Sequence, residues 1–473
     1  MRPLPVASPP TNRQVPTGIR LDASAVTTLS ATLITGGSPW RVRRLGPTAR
    51  ATFDRWLAGD ALQSRDVALA RALIDQGLVH PRFPIVDDVT GLDVVVPVRD
   101  DVAHLGRLLG ELHGFAVTVV DDGSLDAPAV AACAEGAGAR LVRLPENRGP
   151  GAARNAGVAE TTRPLLWFID VDVTLEDARR VATSLVAALG DPLVAASAPR
   201  IRGAAGGRLR ERFEREFSPL DLGAPSGLVT AGGARAYVPS ACLVVRRDAL
   251  GAGFDEALRV GEDVDLVWRL LDAGWLVRYD GAVSVAHEAR ATWLAWWAQR
   301  VAYGASAAAL GARHGSRVAP VVLDESTLAI TTSLAAGQLT TAALAVIWLA
   351  GRIHRALPVE ARRTRATGTL LARALAGTIG PSARAVVRTY GPLVLAAAVA
   401  PRLRRRALAL FALGTLWRFR AHRVTVGDVA LGVADDVAYA LGVWRGAARA
   451  RDTTALTPRF GPGESRNARR RAR

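Results

Sequence analysis

The chain reads as an α/β protein: a mostly parallel sheet under covering helices, preceded by a small helix-and-strand unit and followed by a helical, apolar region. Three observations predict this. From Leu92 onward, strand-like apolar runs alternate with helical patterns, which is the rhythm of βαβ units. Ahead of them, residues 18–84 combine two short helical patterns with a strand-turn signal. Beyond about Arg317 the alternation stops and long stretches rich in Ala and Leu take over. With 473 residues and 49% hydrophobic content, the chain can bury a sizeable core and has room for about two to four domains.

Residues 1–17 are rich in proline and polar side chains and lack an apolar h-region, so they read as a flexible leader rather than a secretory signal. Within 18–84, Leu29, Leu33 and Ile34 precede a Gly36-Gly37-Ser38-Pro39 turn and a short strand, Trp40-Arg41-Val42. Helical spacing follows through Ala51, Phe53, Trp56 and Leu57, then through Val67, Ala70, Leu73 and Ile74 to Gly77. Such a set makes a winged-helix-like module. The GGSPWRVRRL and LIDQGLVHP segments resemble the peptide-recognition domains of ribosomal peptide maturation systems, which implies capture of a peptide by strand addition. The alternative is a structural cap on the next domain.

In residues 92–315 the strand signals are LDVVVPV, FAVTVVDDGS, ARLVRLP and PLLWFIDVD, with helical patterns between them. Ligands of such sheets bind beyond the carboxyl ends of the strands, so the polar residues there are the candidates for chemistry. Pro97, Arg99 and Asp100 follow the first strand, and Asp121-Asp122-Gly123-Ser124 ends the second. Acidic groups delivered from two strand ends can accept hydrogen bonds from an imide and a ribose, although Asp-Asp-Gly-Ser also reads as an ordinary turn. Asp170 and Asp172 end the fourth strand as an Asp-x-Asp pair. Two carboxylates aimed into one space repel unless a hard cation, shared with phosphate oxygens, sits beside them; helix capping is the other reading.

Between these strands, NRGPGAARNAG (147–157) offers glycines for close backbone approach and Arg154 near a helix start, where a pyrophosphate would be held. Gly261-Glu262-Asp263-Val264-Asp265 opens a later helix that carries Trp268 and Arg269. Asp263 is the candidate general base, since an attacking hydroxyl must lose its proton; favourable capping charge is the bland account. His287, after the strand-like residues 282–286, is a candidate metal or phosphate ligand, and Arg290, Gln299 and Arg300 could assist with phosphates.

After residue 317, a stretch from 327 to 351 lacks any charged residue and is long enough to span a bilayer, though Gln338 and its Ala, Thr and Gly content equally suit a buried helix. The runs GPLVLAAAVA and ALALFALGTLW bracket an RLRRR cluster, as a hairpin lying in a membrane interface would. The region 318–450 thus reads as helical and membrane-associated, and 451–473 as a basic flexible tail.

The net charge is +17 and the chain has no lysine. The excess lies at Arg402, Arg404, Arg405 and Arg406, around Arg362, Arg363 and Arg365, and at Arg469 to Arg473. These clusters flank apolar runs, which fits anionic headgroups rather than nucleic acid. Cys133 and Cys242 form neither a disulfide framework nor a CxxC site, as expected in a reducing cytoplasm, here at the inner face of the membrane.

Taken in order over residues 92–270, VPVRD, VVDDGS, NRGPGAARNAG, FIDVD and GEDVDLVWR resemble glycosyltransferase family 2 with its GT-A fold. The resemblance implies an inverting, metal-dependent hexosyltransferase. Pro97, Asp100 and Asp122 would line the nucleoside pocket, with Arg99 and Asp121 beside them, and Arg154 and Asp170 would lie near ribose and diphosphate. Asp172 and His287 would bind Mg2+ or Mn2+, Asp263 would be the base, and Glu262, Trp268 and Arg269 would face the sugars. The whole layout, including AHEAR and the apolar C-terminal part, is similar to the glycosyltransferases of mycofactocin biosynthesis. That implies UDP-glucose as nucleotide-sugar donor, a peptide-derived redox cofactor as acceptor, and β linkage. A processive synthase would carry Gln-x-x-Arg-Trp where this chain has Gln299-Arg300-Val301-Ala302-Tyr303. Two alternatives remain open: a rhamnosyl-, galactofuranosyl- or mannosyltransferase acting on a lipid-linked or cell-wall acceptor, and an inactive peptide-binding scaffold.

Overall fold

A computed structural model describes residues 2–37, 40–85, 88–233, 235–323, 325–357 and 363–460. Ser38 and Pro39 of the expected turn, Arg362, and the Arg469 to Arg473 run lie outside the described residues. The chain forms two compact units. One comprises Arg2–Thr28 and Ile34–Ala289, and the other joins Leu29–Leu33 to the chain from Arg290 onward.

In the first unit, β1 (Arg20–Asp22), β2 (Thr27–Thr28), β3 (Leu33–Gly36) and β4 (Arg41–Arg44) precede helices α1 (Pro47–Leu57) and α2 (Val67–Ile74) and strand β5 (His80–Arg82). β2, β3 and β4 form a three-stranded sheet, and β1 pairs antiparallel with β5. The apolar spacing of the two helices puts Phe53, Trp56, Leu73 and Ile74 into one core with Leu21, Ile34 and Leu78. Arg71 of α2 ties this module to the sheet domain through a buried ion pair with Asp191, 2.8 Å.

The alternation predicted from Leu92 is realised as β6 (Leu92–Val98), α3 (Val102–Glu111), β7 (Ala116–Asp122), α4 (Ala127–Gly136), β8 (Arg140–Leu144), α5 (Pro150–Ala159), β9 (Leu165–Ile169) and β10 (Val173–Thr174). There follow α6 (Ala178–Ala188), β11 (Val194–Gly203), α7 (Leu209–Phe217), β12 (Gly227–Leu228), β13 (Cys242–Arg246), α8 (Arg247–Leu250), α9 (Glu262–Ala273) and β14 (Leu276–His287). The sheet runs β10-β14-β11-β13-β9-β6-β7-β8, with β12 on β14. β9, β6, β7 and β8 are parallel, while β13 enters antiparallel between β9 and β11. The central strands are apolar on both faces, as helix-covered strands must be: Val94, Val95 and Val96 of β6 are fully buried, as are Leu166, Trp167, Phe168 and Ile169 of β9. Close helix–sheet contact is set by Gly157 of α5, where a Cβ would lie 2.4 Å from Val95 Cγ1.

The leader departs from expectation. Although proline-rich and without regular structure, it is fastened to the sheet domain: the Pro5 carbonyl accepts from the Ala252 N–H at 3.1 Å, and the Ala7 carbonyl from the Trp275 indole at 2.7 Å. Val15 is buried. Proline removes donors but leaves carbonyls free to accept, which is how this segment is held.

The second unit is helical: α10 (Trp293–His314), α11 (Glu325–Ala335), α12 (Leu339–Ala356), α13 (Arg363–Val399), α14 (Arg404–Phe419) and α15 (Val426–Ala450). α10 and α15 pack backbone to backbone through glycines; a Cβ on Gly304 would lie 2.1 Å from the Tyr439 carbonyl and one on Gly442 2.1 Å from that of Val301. Beside them sits a buried ion cluster. Asp435 binds Arg300 and Arg418, both at 2.8 Å, and Asp436 binds Arg384 and Arg418. Burial opposes ionisation of Asp435, yet the surrounding guanidiniums hold it down at about 2. Arg300, a candidate phosphate ligand from sequence, is therefore committed to this cluster.

The uncharged stretch 327–351 does not form one span. It breaks into α11 and α12 at Gly337, whose φ of 74° ends a helix as an αL glycine does. Among the described residues no helix is long and apolar enough to cross a membrane. The expected hairpin around the arginine cluster does form, from α13 and α14. Part of the presumed tail is also ordered: Arg459–Phe460 pairs in parallel with Val322–Leu323.

Candidate active site

Three neighbouring parallel strands, β9, β6 and β7, each lead to an aspartate at the carboxyl edge of the sheet. Their apolar runs end where the backbone leaves the helix-covered layer, so the first polar residues emerge side by side. Asp100, two residues beyond β6, adopts φ 54°. Its N–H donates to Ser124 Oγ at 2.9 Å and its Oδ1 accepts from the Leu125 N–H at 2.6 Å, lacing the tips of β6 and β7. Arg99 Nε lies 3.4 Å from Asp100 Oδ2.

Asp122, at the end of β7, accepts two backbone N–H groups, Arg148 at 2.7 Å and Gly149 at 2.8 Å. This folds the glycine loop back onto the strand end. Gly149 requires its φ of 94°, and Arg259 closes over it while donating to Asn147 Oδ1 at 2.8 Å.

The loop delivers α5 and with it Arg154, only 2% exposed. Arg154 donates to Asp170 Oδ1 at 2.5 Å and to Glu262 Oε1 at 2.8 Å, and lies over the Phe254 ring. Glu262 and Asp263 open α9 behind Gly261, which has φ 88°. Burial and the neighbouring Asp263 charge push Glu262 up to about 7 against the pull of Arg154. Asp263 is also raised, chiefly by burial, despite accepting from the Val264 N–H at 2.7 Å and the Ser240 N–H at 3.4 Å. Burial outweighs the pull of the single cation, Arg154, so Glu262 and Asp263 hold protons more tightly than free carboxyls do.

Asp172 is brought to His287 by the β10–β14 pairing, in which Val173 faces His287. Asp172 Oδ1 stands 3.3 Å from His287 Nε2, both side chains mostly buried. The Asp172 carbonyl accepts from the Glu288 N–H at 3.0 Å. No group of three or more His, Cys, Asp or Glu side chains gathers as a metal cage among the described residues. The arrangement offers an imidazole and a carboxylate side by side, next to an arginine-centred carboxylate cluster, at one end of a sheet.

Residues 94–254 match the family described as Glycosyl transferase family 2. The pre-mycofactocin glycosyltransferase of Mycobacterium tuberculosis is 37% identical over 447 residues, covering 90% of this chain and 94% of that protein. The chain belongs to glycosyltransferase family 2. This glycosyltransferase is also 35% identical to succinoglycan biosynthesis protein ExoU of Rhizobium meliloti over 201 residues, 39% of this chain and 58% of that one. Among solved structures, mannosyltransferase PcManGT from Pyrobaculum calidifontis, in complex with GDP-Man and Mn2+, is 18% identical with a TM-score of 0.37, covering 72% of this chain and 91% of that one. The sheet domain is the GT-A core of the family.

Within the transferase, Arg154, Asp170 and Glu262 meet directly, with Asp263 close enough to feel their charges, whereas Asp100, Asp122 and the Asp172–His287 pair occupy adjoining strand ends. Pro97 lies inside β6, past Val95 where pairing with β9 stops, so its missing donor is tolerated. Three expectations need correcting. Asp121 is fully buried and spent on the turn: it accepts from the Ser124 N–H and from Arg143, both at 2.8 Å. Burial raises its carboxyl, but those bonds leave it below the usual range. Arg269 is 3% exposed, bound to Asp265 at 2.7 Å and to the Gly253 carbonyl at 2.6 Å, so it braces α9 rather than facing a sugar. Trp268 is likewise buried, its indole N–H donating to the Ala236 carbonyl at 2.9 Å. Sequence reasoning missed Ser240 and Ala241, whose backbones hold Asp263 and Asp170. They lie in an unremarkable PSAC segment, and only the antiparallel insertion of β13 brings them to the site.

Proposed function

We propose that this family 2 enzyme transfers glucose, with inversion to a β linkage, from UDP-glucose to a hydroxyl of a peptide-derived redox cofactor precursor. The observation that carries the reading is Asp263 at the start of α9, a half-buried carboxylate with raised proton affinity that accepts from the Val264 and Ser240 N–H groups beside the Arg154 cluster. A base of that character takes the acceptor's proton as the hydroxyl attacks the anomeric carbon, and inversion follows from a single displacement. Asp100 and Asp122, at the tips of β6 and β7, are suited to the nucleoside. Arg154 holds Asp170 and Glu262 in fixed positions, leaving Asp263 the member of the acidic pair that takes the proton.

A divalent ion, Mg2+ or Mn2+, fits the donor set at Asp172 and His287. A carboxylate and an imidazole 3.3 Å apart would supply two positions, and the rest of a hard ion's shell would fall to diphosphate oxygens and water. When bound, the ion would neutralise charge on the departing UDP. The acceptor assignment is supported by 37% identity across nearly the whole length of the pre-mycofactocin glycosyltransferase, and the N-terminal module is suited to hold the peptide part.

The test is a nucleotide-sugar panel with the purified enzyme, Mn2+ and a precursor-containing extract, read by mass spectrometry. A hexose added to the cofactor precursor from UDP-glucose is the expected product. Transfer only to a lipid-linked or polysaccharide acceptor would overturn the acceptor assignment.

A further inference from the structure

From Arg363 to Gly427 the chain carries twelve arginines and no acidic residue. Three of them, Arg384, Arg388 and Arg418, are drawn onto Asp435 and Asp436 of α15, whereas a solvated helical surface ordinarily mixes both signs and the arginines at the hairpin turn have no acidic residue near them in sequence. Its α13–α14 hairpin turns at Pro401 to Leu403, and Arg402, Arg404, Arg405 and Arg406 are all exposed there. Large apolar side chains are exposed on the same two helices, among them Leu393, Val399 at 81%, Leu408 and Leu413. Scattered exposed leucines need no explanation, but these adjoin a built feature.

That feature is a groove of about 650 Å³ between α11, α13 and α14. Leu334, Val394, Leu403, Leu410 and Leu413 line it, and Arg406 is its charged member. The Arg406 guanidinium lies against Gly337, at the break between α11 and α12. The groove therefore pairs an apolar trough with a cation and lies beside three more arginines. Its volume is within the range of lipid- and drug-sized sites.

We infer that the α13–α14 hairpin is a docking surface for an anionic phospholipid bilayer, with the arginines among headgroup phosphates and the groove taking an acyl chain. Charge complementarity selects this occupant. An apolar protein partner or a second copy would bury Arg402, Arg404, Arg405 and Arg406 of the exposed turn in an interface without counter-charge, and the second copy would repel. With no helix among the described residues able to cross a membrane, the attachment is peripheral. Arginines near an anionic surface and partly inserted leucines act together in such binding.

The inference does not depend on the sugar or the acceptor, and its test reads no catalysis. The full-length protein is floated with vesicles of phosphatidylcholine alone and of phosphatidylcholine with phosphatidylglycerol, at low and high salt. Binding to the anionic vesicles, lost at high salt and absent from neutral ones, is expected. Replacing Arg402, Arg404 and Arg405 by Gln should weaken partition about a hundredfold, with Tm unchanged. Leu403→Ser with Leu413→Ser should weaken it while keeping its salt dependence. Failure of the unaltered protein to float with either vesicle would overturn the inference, as would equal binding to both. So would self-association on analytical ultracentrifugation that buries the hairpin without any vesicle binding.

Discussion

Replacing Arg154 by Met should destabilise the sheet domain by about 3–5 kcal/mol, because it leaves the buried Glu262 carboxylate without its cation and the part-exposed Asp170 without its partner. The magnitude follows from the geometry. Arg154 is 2% exposed, its partners stand at 2.5 and 2.8 Å, and Glu262 is itself only 6% exposed. Solvent therefore cannot replace the guanidinium. The deficit should also depend on pH. Glu262 already holds its proton up to about 7, above the ordinary carboxyl value, so its contribution to stability is present at low pH and is lost as pH rises through the folded value. Without Arg154 that value climbs further. The variant's deficit should then shrink between about pH 8 and about pH 5, as Glu262 becomes neutral. Adding Glu262→Gln should recover a large part of the loss at the higher pH, since both buried charges are then gone. Urea denaturation followed by fluorescence at the two pH values measures all three quantities. A loss below about 1 kcal/mol, or one that does not vary with pH, would refute the picture of a desolvated, arginine-dependent carboxylate cluster.

Other outcomes are equally specific. Asp263→Asn should lower kcat by about 10²–10⁴ with little change in Tm. In the unaltered enzyme the acid limb of the kcat profile should rise with pH through a value above the ordinary carboxylate range, because the base must first lose its proton. Chelation should abolish transfer, with recovery on adding Mn2+. His287→Ala or Asp172→Ala should raise the Mn2+ concentration for half-maximal activity by about tenfold or more, read by titration under saturating donor. Gly157→Ala should cost about 1–3 kcal/mol in denaturant titration, because its Cβ meets Val95 at 2.4 Å and Val120 at 3.1 Å.

Much of the sheet domain was legible because burial on both faces of a parallel strand demands unbroken apolar runs, and each run stops where chemistry begins. LLWFI followed by Asp170, and FAVTVV followed by Asp121 and Asp122, show this directly. What was hidden depends on partners distant in sequence. Asp121 and Asp122 are adjacent and look interchangeable, yet the pleat sends one to Arg143 and the other to the loop at Gly149. Arg269 could have been read as an i,i+4 partner of Asp265, a pattern that argues for a brace. The carbonyls that fasten the leader carry no sequence signal, since any residue offers one. The uncharged run at 327–351 concealed its break because hydropathy averages over Gly337, whose backbone conformation, not its polarity, ends the helix.

The grip of Asp122 on the amides of Arg148 and Gly149 joins a strand tip to a loop far along the chain. The strand tip and the loop, 26 residues apart in sequence, are thus fastened to each other where α5 begins. A change at Asp122 would therefore disturb the start of α5, the helix that carries Arg154.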